Sequence, residues 1–156
     1  MRVTIAAVGR QKSSPEAQLI DDYLTRFERT GRPLGLGPAK LVEVDDRKSG
    51  GMPAEAALLR KAIPDGATRI VLDERGKLQS SRDFATTLER LRDDSARDLV
   101  FVIGGADGLD KSLRAEADMS LSFGKMVWPH MLVRVMLSEQ LYRAATILAG
   151  GPYHRD

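Results

Sequence analysis

The sequence predicts an α/β protein, a parallel sheet with helices on both faces, and three observations carry that reading. Short apolar runs alternate with amphipathic segments along the chain, two of the runs are apolar at nearly every position, and glycines cluster where several of the runs end. A strand that is apolar on both sides of its pleat is covered on both faces. Parallel neighbours need long crossovers, and the amphipathic segments supply them. At 156 residues the whole chain is expected to form one domain.

Taken in order, RVTIAAV (2–8) is the first buried strand. Ser13-Ser14-Pro15 then opens a helix, with Pro15 in the first turn, where its missing N–H costs nothing. Ala17, Ile20, Tyr23, Leu24 and Phe27 recur at helical spacing through PEAQLIDDYLTRFERT. TGRPLGLGP (30–38) is a Gly/Pro loop, KLVEVDD (40–46) alternates as a second strand, and KSGG (48–51) reads as a turn. PAEAALLRKAI (53–63) is a short helix, TRIVLDE (68–74) a third strand, and SSRDFATTLERLRDD (80–94) a helix capped by Ser80 or Ser81. DLVFVIGG (98–105) is the second fully apolar strand. LDKSLRAEAD (109–118) is briefly helical, MSLSFG (119–124) is a short strand, and MLVRVMLSEQLYRAATILAG (131–150) is the longest helix, closed by Gly150-Gly151-Pro152.

Composition narrows the function classes. Hydrophobic residues at 42% and charged residues at 29% are ordinary for a folded domain and argue against disorder. No apolar run reaches the length of a membrane span, and MRVTIAAVGR lacks the layout of a signal peptide, so a cytoplasmic protein with no membrane partner is expected. The absence of cysteine excludes disulfides, thiolate nucleophiles and zinc–thiolate sites. A net charge of +2 permits a polyanionic partner without requiring one.

Ligands of open parallel sheets bind beyond the carboxyl ends of the strands. Three loops fall there, LDERGK, IGGADGL and SFGKMVWPH, and glycine recurs in all of them. Gly76, Gly104, Gly105, Gly108 and Gly124 either serve as left-handed turn residues or let backbone amides approach a ligand. The G-G-A-D-G spacing after the fourth strand is not a dinucleotide fingerprint, which belongs after the first. Neither a phosphate-binding P-loop sequence nor a nucleophile elbow is present. A metal site from His130, His154 and Asp156 lacks a defined third ligand, so no metal is expected. What remains is a pocket for a small organic cofactor held mainly by backbone.

LDERGK, VFVIGGADGL, LSFGKMVWPHMLVRVMLSEQLYRA and the terminal PYHRD, in that order and at those separations, resemble the ribosomal RNA large-subunit methyltransferase H family, the small knotted members of the SPOUT class. The likeness extends over essentially the whole chain. It departs from the common pattern at Ala106-Asp107, where proline with glutamate or an aromatic is usual, and at Trp128, where phenylalanine or a smaller apolar residue is usual. The resemblance implies an α/β/α sandwich with a C-terminal trefoil knot and S-adenosylmethionine as cofactor. It places the adenosine contacts on Leu72, Gly104, Phe123, Gly124, Lys125, Met126, Val127 and Trp128. The implied substrate is a pseudouridine in a hairpin loop of large-subunit ribosomal RNA, methylated at N3 on the assembled ribosome.

The chemistry of that step asks for particular groups. A sulfonium methyl is already activated, so the protein must align the attacking nitrogen and manage a proton. A uracil-type N3 attacks as its proton leaves and charge spreads to the flanking carbonyls, which calls for a base near neutral pKa and a fixed cation. His154 beside Arg155 suits the base. Arg143 either steadies the developing anion or binds phosphate, and Glu139, one turn earlier, is its local ion-pair partner. Tyr153 is placed to stack on a base and Arg155 to hold phosphate or the oxyanion. His130 is the alternative base, or it only caps or orients the final helix.

The final helix has a wide apolar face of Val133, Met136, Leu137, Leu141, Ala144, Ala145 and Leu148, extended by Leu132, Val135 and Ile147. Such a helix packs on two sides or lies in the centre of its own core. The first alternative, together with the resemblance, implies a homodimer in which the tail of one subunit approaches the cofactor of the other. Two other classes stay open on the residues alone: a non-catalytic RNA-binding or ribosome-associated module, and a nucleotide-dependent oxidoreductase. Cofactor binding separates the three.

Overall fold

A computed structural model describes residues 1–10, 12–45 and 50–155. The turn expected at 48–51 lies half outside them, and Asp46 and Asp156 lie outside altogether. Five parallel strands, β1 (Arg2–Val8), β2 (Ala39–Val44), β3 (Thr68–Leu78), β4 (Asp98–Ile103) and β5 (Met119–Ser122), line up in the order β2-β1-β4-β3-β5. Strand alternation sorts the core. Val3, Ile5 and Ala7 of β1 and Leu99, Phe101 and Ile103 of β4 face α1 (Pro15–Gly31), α3 (Ser81–Asp93) and α5 (His130–Leu148). Ala6, Val8, Val100 and Val102 face the other way, towards α2 (Gly51–Ala62) and α4 (Lys111–Ala115). The expected α/β/α sandwich is therefore present, with β1 and β4 central and buried on both faces as their unbroken apolar runs require.

Local signals set the helix starts. Ser14 Oγ accepts the Ala17 N–H at 3.1 Å, and Ser80, rather than Ser81, caps α3 in a reciprocal box with Asp83. The Gly/Pro loop before β2 contains one short 3-10 turn, Arg32–Leu34.

β3 runs past the expected end at Glu74. Leu121 of β5 stands opposite both Leu72 and Lys77, so Asp73, Glu74, Arg75 and Gly76 are thrown out of the ladder before pairing resumes. A Cβ at Gly76 would lie 2.7 Å from the carbonyl carbon of Leu121 and 2.8 Å from its nitrogen, which is why the excursion re-enters on glycine.

In α5, Leu137, Leu141, Ala144 and Ala145 are buried within this chain, packed on the sheet between α1 and α3. The central-core alternative thus accounts for that stripe. Leu132 is left exposed, and Val135 and Met136 are only half-buried.

Candidate active site

The three glycine-rich loops meet at the carboxyl ends of β3, β4 and β5 around a cavity of about 760 Å³. Leu72, Gly104, Phe123, Gly124, Met126, Val127 and Trp128 all line it, while Lys125 is exposed outside its wall. Of the five glycines singled out in the sequence, only Gly108 (φ +84°) and Gly124 (φ +123°) are left-handed. Gly104 and Gly76 are needed for close approach instead. A Cβ at Gly104 would stand 2.5 Å from the carbonyl carbon and oxygen of Gly108, because the 105–108 turn folds back with the Gly108 N–H donating to Gly105 O at 3.1 Å.

Ser122, buried at the end of β5, ties two of the loops together. Its Oγ accepts the Gly124 N–H at 3.1 Å and donates to the carbonyl of Gly124 (2.9 Å) or of Glu74 (3.1 Å). Met126 and Val127 project 73% and 80% exposed, an apolar rim that a partly apolar ligand would cover. Asp73, thrown outward by the β3 excursion, accepts from the Arg75 N–H at 2.9 Å and from Arg114 Nη1 at 3.0 Å. Burial alone would raise the Asp73 carboxyl, but these donors outweigh it and hold the group below the ordinary carboxylate range. His130 and Val133, in the first turn of α5, complete the wall.

The tail residues gather elsewhere. Glu139 Oε1 accepts from Arg143 Nε (3.0 Å), Arg143 Nη2 (2.6 Å) and the Tyr153 hydroxyl (3.0 Å). The expected i,i+4 pair is therefore formed, and it recruits the tail as well. Arg143 Nη1 is 3.3 Å from His154 Nδ1, and the guanidinium lies 4.8 Å from the Tyr153 ring centroid. The Tyr153 ring also packs against that of Tyr142, tilted by 53° with centroids 4.6 Å apart. The hydrogen bond to Glu139 raises the Arg143 pKa, and burial followed by the same carboxylate raises that of Tyr153, so one stays a cation and the other a neutral donor. Arg155 is exposed beyond this group.

Arg143 lies thirteen helical steps after His130, about 20 Å along α5. None of Glu139, Arg143, Tyr153 and His154 lines the 760 Å³ cavity. Glu139 instead lines a second, more apolar cavity of about 490 Å³ with Tyr23, Val135 and Met136, which shares Leu121, Phe123 and Gly124 with the first. Leu19 and Leu78 stand exposed on its rim, 45% and 58%. Among the described residues no group of three His, Cys, Asp or Glu side chains is placed to hold a metal.

Sequence reasoning passed over Arg134. It is wholly buried, one turn beyond His130, and donates to Glu43 Oε1 at 2.7 Å, to Gly9 O at 3.0 Å and to Val8 O. It thereby binds α5 to the ends of β1 and β2. The available signal was an arginine inside the apolar stripe that contains Leu137 and Leu141.

The sequence profile described as "Predicted SPOUT methyltransferase" matches residues 1–154. The chain is 71% identical to a protein of Ruegeria pomeroyi named "Ribosomal RNA large subunit methyltransferase H", over 99% of both chains. It is 69% identical to one of the same name from Roseobacter denitrificans over the full length of both. Its fold is similar to the crystal structure of a probable methyltransferase from Bordetella pertussis Tohama I, at 18% identity and a TM-score of 0.55 across 92% of this chain and 96% of that one. With the glycine-built pocket at the strand ends and a full-length match in sequence, the chain belongs to the SPOUT methyltransferases.

Proposed function

We propose that the protein transfers a methyl group from S-adenosylmethionine to N3 of a pseudouridine in a hairpin loop of large-subunit ribosomal RNA, on the assembled ribosome, in the cytoplasm. The observation that carries this reading is the convergence of Leu72, Gly104 and the 123–128 loop on one cavity in a chain of this family. The names of its relatives support the choice of ribosomal RNA.

The residues present fit the cofactor. The cavity falls in the range of small-molecule sites, about 300–1,000 Å³. At Gly104 the end of β4 packs directly on the Gly108 backbone of the turn that walls the cavity, and Phe123, Met126, Val127 and Trp128 offer apolar surface to an adenine. When bound, S-adenosylmethionine supplies an electrophilic methyl group. The chain's own task is to orient the RNA base, take its N3 proton and balance the charge that follows. His154 accepts that proton; Arg143, permanently cationic through Glu139, stabilises the charge developing on the base carbonyls. Tyr153 offers a ring for stacking, and Arg155 reaches phosphate.

This division needs the tail and the cofactor cavity together, although they lie apart on one chain. A symmetric homodimer supplies the missing half by bringing the tail of one protomer to the pocket of the other, and the exposed Leu19, Leu78 and Leu132 give it an apolar surface. The C-terminal trefoil knot belongs to the same reading, supported by membership of the SPOUT family. Two measurements test it. Sedimentation at micromolar concentration should give a dimer, and a monomer would contradict the assembly. Mixing Gly104→Val protein, defective in its pocket, with His154→Ala protein, defective in its tail, should restore part of the methyl transfer to ribosomes; failure of two folded, co-assembled variants to complement would place the tail's action in its own chain.

A further inference from the structure

The residues that line an adenosine site say nothing about the other end of S-adenosylmethionine, an amino acid with a carboxylate and an ammonium group. The cavity wall carries cations at Arg75, Lys111 and Arg114. Arg75 reaches Asp73 Oδ1 only at 3.4 Å and is 72% exposed, and Lys111 is also on the surface, so each would lose more freedom on holding an anion. Arg114 is already ordered. Its side chain is 24% exposed and its Nη1 is fixed on Asp73, itself only 10% exposed. Asp73 is held in turn by the Arg75 N–H, so the pair has little freedom to swing. Among the described residues Nη1 is the one guanidinium nitrogen of Arg114 with a protein hydrogen-bond partner, which leaves Nε and Nη2 without a protein acceptor on a side chain that lines the cavity. Glu74 and Asp107, also in the wall, have the wrong sign for a carboxylate and the right one for an ammonium.

We infer that Arg114, braced by Asp73, is the subsite that binds the carboxylate at the amino-acid end of the cofactor. The inference rests on the proposed use of S-adenosylmethionine. A planar guanidinium matches a carboxylate in geometry as well as charge, and one whose orientation is already fixed loses less freedom on binding. Asp73 supplies the orientation and offsets the charge of Arg114 when the site is empty of anion.

Calorimetric titration with three ligands tests this: S-adenosylmethionine, S-adenosylhomocysteine and 5′-methylthioadenosine, the last having the adenosine and sulfur but no amino acid. Arg114→Gln should weaken the first two by about 10- to 100-fold, as loss of a hydrogen-bonded charge pair does. Binding of 5′-methylthioadenosine should stay within about twofold, which also reports that the pocket is folded. Arg114→Lys should fall between, and Asp73→Asn should weaken the same two ligands by less than Arg114→Gln. An equal change for all three ligands in both Arg114 variants, or unchanged S-adenosylmethionine affinity in Arg114→Gln, overturns the assignment. If the unaltered protein binds none of the three, the cofactor reading itself falls and this inference with it.

Discussion

A methyl group added at Gly104 would sit 2.5 Å from the carbonyl carbon and oxygen of Gly108 and 2.9 Å from the nitrogen of Leu109. Carbon contacts settle at about 3.5–4 Å, so the two backbone segments must part by roughly 1 Å. All three opposing atoms are backbone, so no side chain can rotate away, and the shift passes into the 104–109 turn that walls the cavity. Overpacking of this kind costs about 1–3 kcal/mol. For a domain of this size that lowers Tm by roughly 2–4 °C per kcal/mol. Gly104 follows β4 rather than lying within it, so the β1/β4 centre of the sheet survives. Gly104→Ala should therefore remain folded by circular dichroism, melt several degrees lower, and bind S-adenosylmethionine at least tenfold more weakly by calorimetry, a loss of about 1.4 kcal/mol or more. A folded Gly104→Ala protein with undiminished affinity would show that the cofactor does not rest on this turn.

None of Tyr153, His154 and Arg155 lines the 760 Å³ cavity, so on deletion of residues 153–156 calorimetric affinity should be nearly unchanged while methyl transfer to ribosomes is lost; retention of the original rate would exclude the tail and turn attention to His130. Arg134→Met strips the wholly buried partner from Glu43 and two backbone carbonyls and should destabilise the fold by about 3 kcal/mol in urea unfolding. A loss below about 0.5 kcal/mol, the range of surface substitutions, would deny Arg134 its role in holding α5 to the sheet. Because the folded-state pKa of Asp73 is depressed, its contribution to stability is full above the unfolded value near 3.9 and disappears as pH falls through the folded value. Stability measured by denaturant between pH 5 and 2 should thus decline less steeply for Asp73→Asn than for the unaltered protein, and parallel curves would contradict the assignment.

Much of the fold was legible because local chemistry dictates it. The apolar run of β1 gave that strand to the residue, the serine pair at 80 and 81 located the start of α3 to within one residue, and the i,i+4 spacing of Glu139 and Arg143 gave their pair. The excursion at Asp73–Gly76 was not legible, since strand periodicity cannot show that pairing resumes after a break; Gly76 was its only trace, and that glycine answers to the β5 backbone, a long-range neighbour. The sequence reading offered left-handed turns or approach to a ligand for all five glycines; at Gly104 and Gly76 the close neighbour is instead the chain's own backbone, which spacing in sequence does not reveal. The apolar circumference of α5 signalled more than one packing partner, yet a linear pattern could not divide it between the sheet side, which holds Leu137 and Leu141, and the exposed Leu132. Of the eight contacts that the motif resemblance named, seven line the 760 Å³ cavity and Lys125 lies outside its wall; the rest of the lining, including the 73–75 excursion and the 105–109 turn, was not named by it. The separation of the tail from that cavity depends on the length and direction of α5, which no motif encodes.

The most direct test of the account is nucleoside mass spectrometry of large-subunit RNA after intact ribosomes lacking the modification are incubated with the protein and S-adenosylmethionine carrying a labelled methyl group. The account predicts one labelled product, 3-methylpseudouridine from a single hairpin loop, abolished by His154→Ala in a protein that still binds cofactor. Label on any other nucleoside, or undiminished label with His154→Ala, would contradict it.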